Sequence, residues 1–201
     1  MFRHAVYATL AAAVALPAAA QAPGAPDRSR VVAGTYAADP GHTQVAWSLD
    51  HLGFSTYDGL FGGATGTLTL DPAKPAATKV DITIPISGLV TTVPALNEHL
   101  KSPDFFDAAK FPTATFTSTS VVPQGTGARI TGTLTLHGVS KPVVLDARFV
   151  GAGVNPLTKK ATVGFAATTK LKRSDFGITT YLPILGDDVD LRINAAFEKA
   201  S

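Results

Sequence analysis

Alternating apolar and polar residues predict an all-β protein of eight antiparallel strands, arranged as a sandwich or a closed barrel. Three observations carry that prediction. Rows with a period of two recur through most of the chain, the pattern of strands that bury one face. Turn-prone stretches break the rows at regular intervals, among them Asp71-Pro72, Pro123-Gln124-Gly125 and Gly151-Ala152-Gly153. Helical periodicity is confined to one short insert near residues 94–110.

Residues 1–20 read as a secretory signal, set apart from the fold. Arg3 and His4 make a basic start, Ala5 to Leu16 form an apolar run, and Ala18-Ala19-Ala20 offers the small residues of a cleavage site. The run is shorter than the ~20 residues a membrane-spanning helix needs. Cleavage after Ala20 sends the protein to the periplasm or beyond. Residues 21–34, rich in Ala, Pro and charge, read as a disordered lead-in, and residues 35–199 as one domain.

The strands follow in order. In residues 43–54, Val45, Trp47, Leu49 and His51 share a face. Leu68 and Leu70 define the second row, and Val80, Ile82, Ile84 and Ile86 the third, where Pro85 calls for an edge or a bulge. Then comes the insert: Pro94 suits a first helical turn ahead of Ala95 to Leu100, and a second turn at Ser102-Pro103-Asp104 sets Phe105 and Phe106 against the sheet. Five further rows pass through Ala114 and Phe116; Ile130, Leu134 and Leu136; Val143, Leu145 and Phe149; Val163 and Phe165; and Val189, Leu191 and Ile193. The pentapeptide GTLTL occurs at Gly66 to Leu70 and at Gly132 to Leu136, which recurrent Thr/Leu alternation in a β-rich chain is enough to explain.

Composition narrows the function classes. The 17 basic and 15 acidic side chains leave a formal charge of +2, without the basic stripe that nucleic-acid binding requires. With no Cys, zinc–thiolate sites, thiol nucleophiles and disulfides are excluded. No Gly-x-Ser-x-Gly elbow frames a serine nucleophile. Asp187, Asp188 and Asp190 lack the spacing and closing Glu of a calcium loop, so neither a metal nor a catalytic residue is assigned.

Five segments, read together, resemble the YceI-like family of exported, lipocalin-like polyisoprenoid-binding proteins. The first holds Tyr36, Asp39, His42, Val45, Trp47, His51-Leu52-Gly53, Gly59 and Phe61. The others are LNEHLKSPDFFDAAKFPTATFTSTSV from Leu96, TGTLTLHGVSKPV from Thr131, KRSDFGI from Lys172 and DDVDLRI from Asp187. The resemblance spans Tyr36 to Glu198. It implies an eight-stranded antiparallel lipocalin-like barrel with the helical insert near its opening. It also implies a long isoprenoid chain in the lumen, as a polyprenyl phosphate, an isoprenoid quinone or a similar amphiphile, with no other cofactor.

On this reading the apolar tunnel is lined by Val45, Trp47, Leu49, Leu68, Ile82, Ile84, Phe105, Phe116, Leu134, Phe165 and Leu191. His51, His99 and Arg173 are candidates for the polar head. Each has a plainer role beside it: His51 as a core histidine with one hydrogen bond, His99 beside a buried carboxylate, and Arg173 paired with Asp175 in the RSDFG turn. His42, after Asp39-Pro40-Gly41, reads as a residue that fixes a turn. Small residues such as Ala114, Gly132 and Ala195 among the bulky ones either leave a slot or let their neighbours interlock. An eight-stranded barrel admits both outcomes.

Two other classes compete with a carrier. One is a hydrolase or metal-dependent enzyme using His51, His99 and Glu98; the other is a filled-barrel envelope-stress protein. The expected partner is a long-chain isoprenoid or fatty amphiphile, with transient contact at a membrane. The oligomeric state stays open, a dimer included.

Overall fold

The computed structural model describes residues 22–200; the expected signal, residues 1–20, lies outside them. Eleven strand segments and one α-helix follow the chain: β1 (Gly34–Ala38), β2 (Gln44–His51), β3 (Ser55–Phe61), β4 (Thr65–Leu70), β5 (Lys79–Pro85), β6 (Leu89–Val90), α1 (Pro94–Lys101), β7 (Thr113–Gln124), β8 (Gly127–Leu136), β9 (Val139–Val154), β10 (Ala161–Lys172) and β11 (Leu185–Lys199). All strand pairings are antiparallel.

Those segments make eight walls. β1 and β2 lie end to end along β11, at Tyr36↔Lys199 and at Gln44↔Asn194 through His51↔Leu185. β3 and β4 continue one another along the other side of that wall, and β5 and β6 follow in turn. From β5 the order runs β7, β8, β9, β10, β11, and the β1–β11 pairing closes the ring. Closure leaves only short stretches of edge, at β6 and at the end of β9. The Pro85 expectation is met by a break: β5 ends there, a 3-10 turn spans Ile86–Gly88, and pairing passes from β4 to β3.

Each predicted row occupies one wall, while β1 and β3 were not among those rows. Tyr36 and Ala38 are buried on β1, and Tyr57 and Phe61 alternate around Gly59 on β3. The insert forms as expected, with Pro94 in the first turn of α1 and Phe105 buried behind it.

The lead-in departs from expectation. Ala25 exchanges both backbone hydrogen bonds with Ala152, at 3.1 and 2.9 Å, and Arg28 Nη2 donates to Gly125 O at 2.7 Å. The reason lies in strand length. β8 pairs with β9 only as far as Gly127↔Arg148, so the last residues of β9 carry backbone groups with no partner on that side. A buried or half-buried unpaired amide is costly, and the lead-in supplies the missing partner. Val31 then packs with Tyr36, Ala152, Val163 and Phe197 in the cluster at this end of the barrel. Among the described residues no helix is long and apolar enough to cross a membrane.

Candidate functional site

The lumen is open. It holds a chamber of about 430 Å³ at the α1 end and one of about 330 Å³ at the lead-in end. Val45, Ile84, Leu134 and Leu191 line both, so the chambers meet at a waist built from four walls. All the apolar residues expected in the tunnel stand on one chamber or the other. The small residues account for how large rings fit without filling the space. A Cβ at Gly59 would collide with the Trp47 indole, and one at Gly132 with the Phe116 ring. Each glycine lets an aromatic ring lie back against the neighbouring strand, along the wall and not across the axis.

The mouth is set by local turns. The β2–β3 hairpin turns through Leu52 and Gly53, at φ 63° and 70°, the central residues of a turn in the three-residue connection closed by His51↔Ser55, and glycine takes its position without strain. Phe54 N–H donates to His51 O at 3.2 Å and Gly53 N–H to Asp50 Oδ1 at 2.8 Å. His51 is thereby held at the rim beside Tyr57, with ring centroids 5.9 Å apart. Opposite in sequence, α1 brings His99 to the same chamber, where it meets Phe105 edge-on at 5.1 Å and Tyr181 at 6.5 Å. Leu52, Tyr181 and Ile184 form an exposed apolar lip.

Arg173 also borders this chamber, but not as a free cation. It is 5% exposed and donates to four carbonyls: Nε to Gly186 at 2.9 Å, Nη1 to Ile178 at 3.0 Å and Thr180 at 2.9 Å, and Nη2 to Leu185 at 3.2 Å. These bonds, from four of its five N–H groups, brace the 178–186 loop, where pairing with Asp175 was the plainer expectation. Burial lowers its pKa and Asp187 opposes that; a guanidinium stays charged regardless. Lys170 and Lys172 lie outside the barrel, paired across strands with Asp190 at 3.2 Å and Asp188 at 2.9 Å. His42 Nδ1 sits 2.7 Å from Asp39 Oδ2 in the loop joining β1 and β2.

The acid–base constellation of the enzyme reading is not assembled. Glu98 is 78% exposed and pairs with Lys101 at 3.2 Å, while His99 turns to the chamber. Among the described residues no cluster of three or more His, Cys, Asp or Glu side chains could hold a metal.

Two residues that line the α1-end chamber carry buried donors with no partner among the described residues, Trp47 Nε1–H and the Tyr57 hydroxyl, both shielded within the wall. Each unmade bond of this kind costs ~1–3 kcal/mol. Tyr57 is the site residue sequence reasoning missed. The alternation Tyr57, Gly59, Phe61 was the available signal, blurred because glycine interrupts the apolar row.

A closed antiparallel barrel around an apolar lumen is a hollow barrel of the lipocalin-like class. The chain belongs to the YceI-like family, whose YceI-like domain model matches residues 36–197. Protein YceI of Escherichia coli O17:K52:H18 is 44% identical over 153 residues, covering 76% of this chain and 80% of that protein. The crystal structure of the Campylobacter jejuni YceI protein superposes with a TM-score of 0.67 at 35% identity, over 76% of this chain and 90% of that one. A polyisoprenoid binding domain from Saccharophagus degradans shares the fold, with a TM-score of 0.61 at 14% identity over 82% of this chain and 98% of that one.

Proposed function

We propose that this protein is an exported carrier that holds one long isoprenoid-type amphiphile in its lumen. The observation that carries the reading is the two-chambered apolar cavity, each part within the ~300–1,000 Å³ usual for ligand sites. A chamber lined almost wholly by Leu, Val, Ile and aromatic side chains selects for hydrocarbon by excluding water's hydrogen bonds. A tail of about forty carbons, at ~0.8 kcal/mol per buried CH₂-sized unit, carries more than ~20 kcal/mol of gross transfer free energy. Ordering and incomplete burial remove much of it, and enough remains for retention with few polar contacts. The polyisoprenoid-binding description of the S. degradans neighbour supports the same ligand class.

Native mass spectrometry of the protein purified from its own host tests this. A bound mass of several hundred daltons, released by organic extraction, is the expected result. An unliganded mass together with failure to take up isoprenoid quinone or prenyl phosphate would overturn the carrier reading. The same spectrum reads the export expectation, since a mature chain beginning at Gln21 reports cleavage after Ala20.

A further inference from the structure

We infer that the lumen has a second mouth, at the lead-in end, through which a hydrocarbon chain passes when residues 25–31, drawn across it as a strap, swing aside. This rests on the carrier reading and adds a route for its cargo. The lining of the lead-in-end chamber includes Pro72 and Pro75 from the β4–β5 connection, Pro123 and Thr126 from the β7–β8 hairpin, and Arg28 from the lead-in, all of them exposed. A chamber bordered by exposed residues at the end away from α1 reaches the surface there. Its rim suits hydrocarbon. The three prolines present no backbone N–H, and no Asp or Glu lines the chamber.

The strap crosses this rim from one side to the other. β9 runs past the last pair it makes with β8, Gly127↔Arg148, and Ala25 docks on the overhang at Ala152. Gly151 and Gly153, expected to mark a turn, lie within β9 instead, and their bare backbone admits the strap. A Cβ on Gly151 would stand 3.0 Å from Ala25 O, and one on Gly153 would collide with Pro23 O. From Ala25 the chain reaches over to the β7–β8 turn, where Arg28 Nη2 donates to Gly125 O at 2.7 Å. Val31 then lines the chamber itself. Among the described residues, the two Ala25–Ala152 bonds and the Arg28 bond are the hydrogen bonds that tie residues 25–31 to the barrel, and residues 26–30 are exposed. So sparse a tether places the strap among the segments that open most readily, while the walls stay paired.

The chain has no Cys, so Ala25→Cys together with Ala152→Cys allows one disulfide and no other. A hydrogen-bonded antiparallel pair sets its Cα atoms ~5.5 Å apart, within disulfide range, and the bond fastens the strap. Gly153→Val dislodges it from outside, since Gly153 lines neither chamber. The probe is cis-parinaric acid, a polyene fatty acid that fluoresces in apolar surroundings, and its transfer from the protein to excess phosphatidylcholine vesicles is timed by stopped flow. Oxidation of the cysteine pair is expected to slow release at least ~5-fold, reversed by reductant, and Gly153→Val to hasten it at least ~3-fold. Uptake rates shift in the same direction, so affinity changes less than ~2-fold, as a gate requires. Release that neither oxidation nor Gly153→Val alters, in a protein that takes up the probe, overturns the inference and leaves the carrier reading standing. So does weaker affinity in Gly153→Val with no effect of oxidation, because the strap is then only part of the wall. If the wild type takes up no probe, the carrier reading falls and this inference with it.

Discussion

Arg173 illustrates how a cation near a ligand chamber can belong wholly to the fold. Four carbonyl oxygens of the 178–186 loop converge on its planar fork, and hydrogen bonds from a charged donor are stronger than neutral ones. A lysine ammonium offers three donors from a point charge and does not reproduce that spread. Arg173→Lys is therefore expected to cost ~2–4 kcal/mol, read as a lowered urea midpoint. An unchanged midpoint would show that the loop does not depend on these bonds. Trp47 and Tyr57 are the converse case, with buried donors that find no partner among the described residues.

The turn that follows β10 shows how one carboxylate ties two elements together. Asp187, at the start of β11, accepts from Ser174 N–H at 2.9 Å and from Ser174 Oγ at 2.8 Å. Burial pushes its pKa up, but the two Ser174 bonds, with Lys172 and Arg173, outweigh that and hold it below the usual carboxylate value. A depressed folded-state pKa means stability that is complete above the unfolded value and is lost as pH falls through the folded one. The difference in unfolding midpoint between the wild type and Asp187→Asn should thus be constant above about pH 5 and shrink as the pH falls below about 4. A difference independent of pH would mean that the ionised carboxylate is not what ties the turn to β11. The insert was readable from residues alone, because Pro94 acts locally. The Leu52-Gly53 turn was not expected, since residues 43–54 read as one row, and the turn expected at Gly151-Ala152-Gly153 lies within β9. The docked lead-in was not readable, because its partner is a stretch of β9 that is unpaired only once β8 has ended.

Across the whole barrel the decisive feature is the waist. Val45, Ile84, Leu134 and Leu191 come from four different walls, and a tail longer than one chamber must pass between them. Val45→Phe is expected to weaken binding of an octaprenyl ligand at least ~10-fold, because the carbons beyond the waist lose their burial. A ten-carbon amphiphile confined to one chamber should be little affected. Isothermal titration with the two chain lengths checks this, and Leu134→Phe provides a second variant from another wall if the first folds poorly. Equal losses for both lengths would argue against a continuous path.

Local pattern was sufficient for the number of walls, the residues that face inward and the place of the helical insert, since period-two alternation and turn chemistry are properties of neighbouring residues. Val45, Trp47, Leu49 and His51 could be put on one face without any coordinates. Whether that face enclosed space could not, because the free volume depends on closing eight walls at one radius and on which rings lie back against Gly59 and Gly132. The fates of polar groups likewise emerged only on assembly. Arg173 gives four of its five N–H groups to carbonyls brought close by the 178–186 loop, while the donors of Trp47 and Tyr57 are buried without a partner among the described residues.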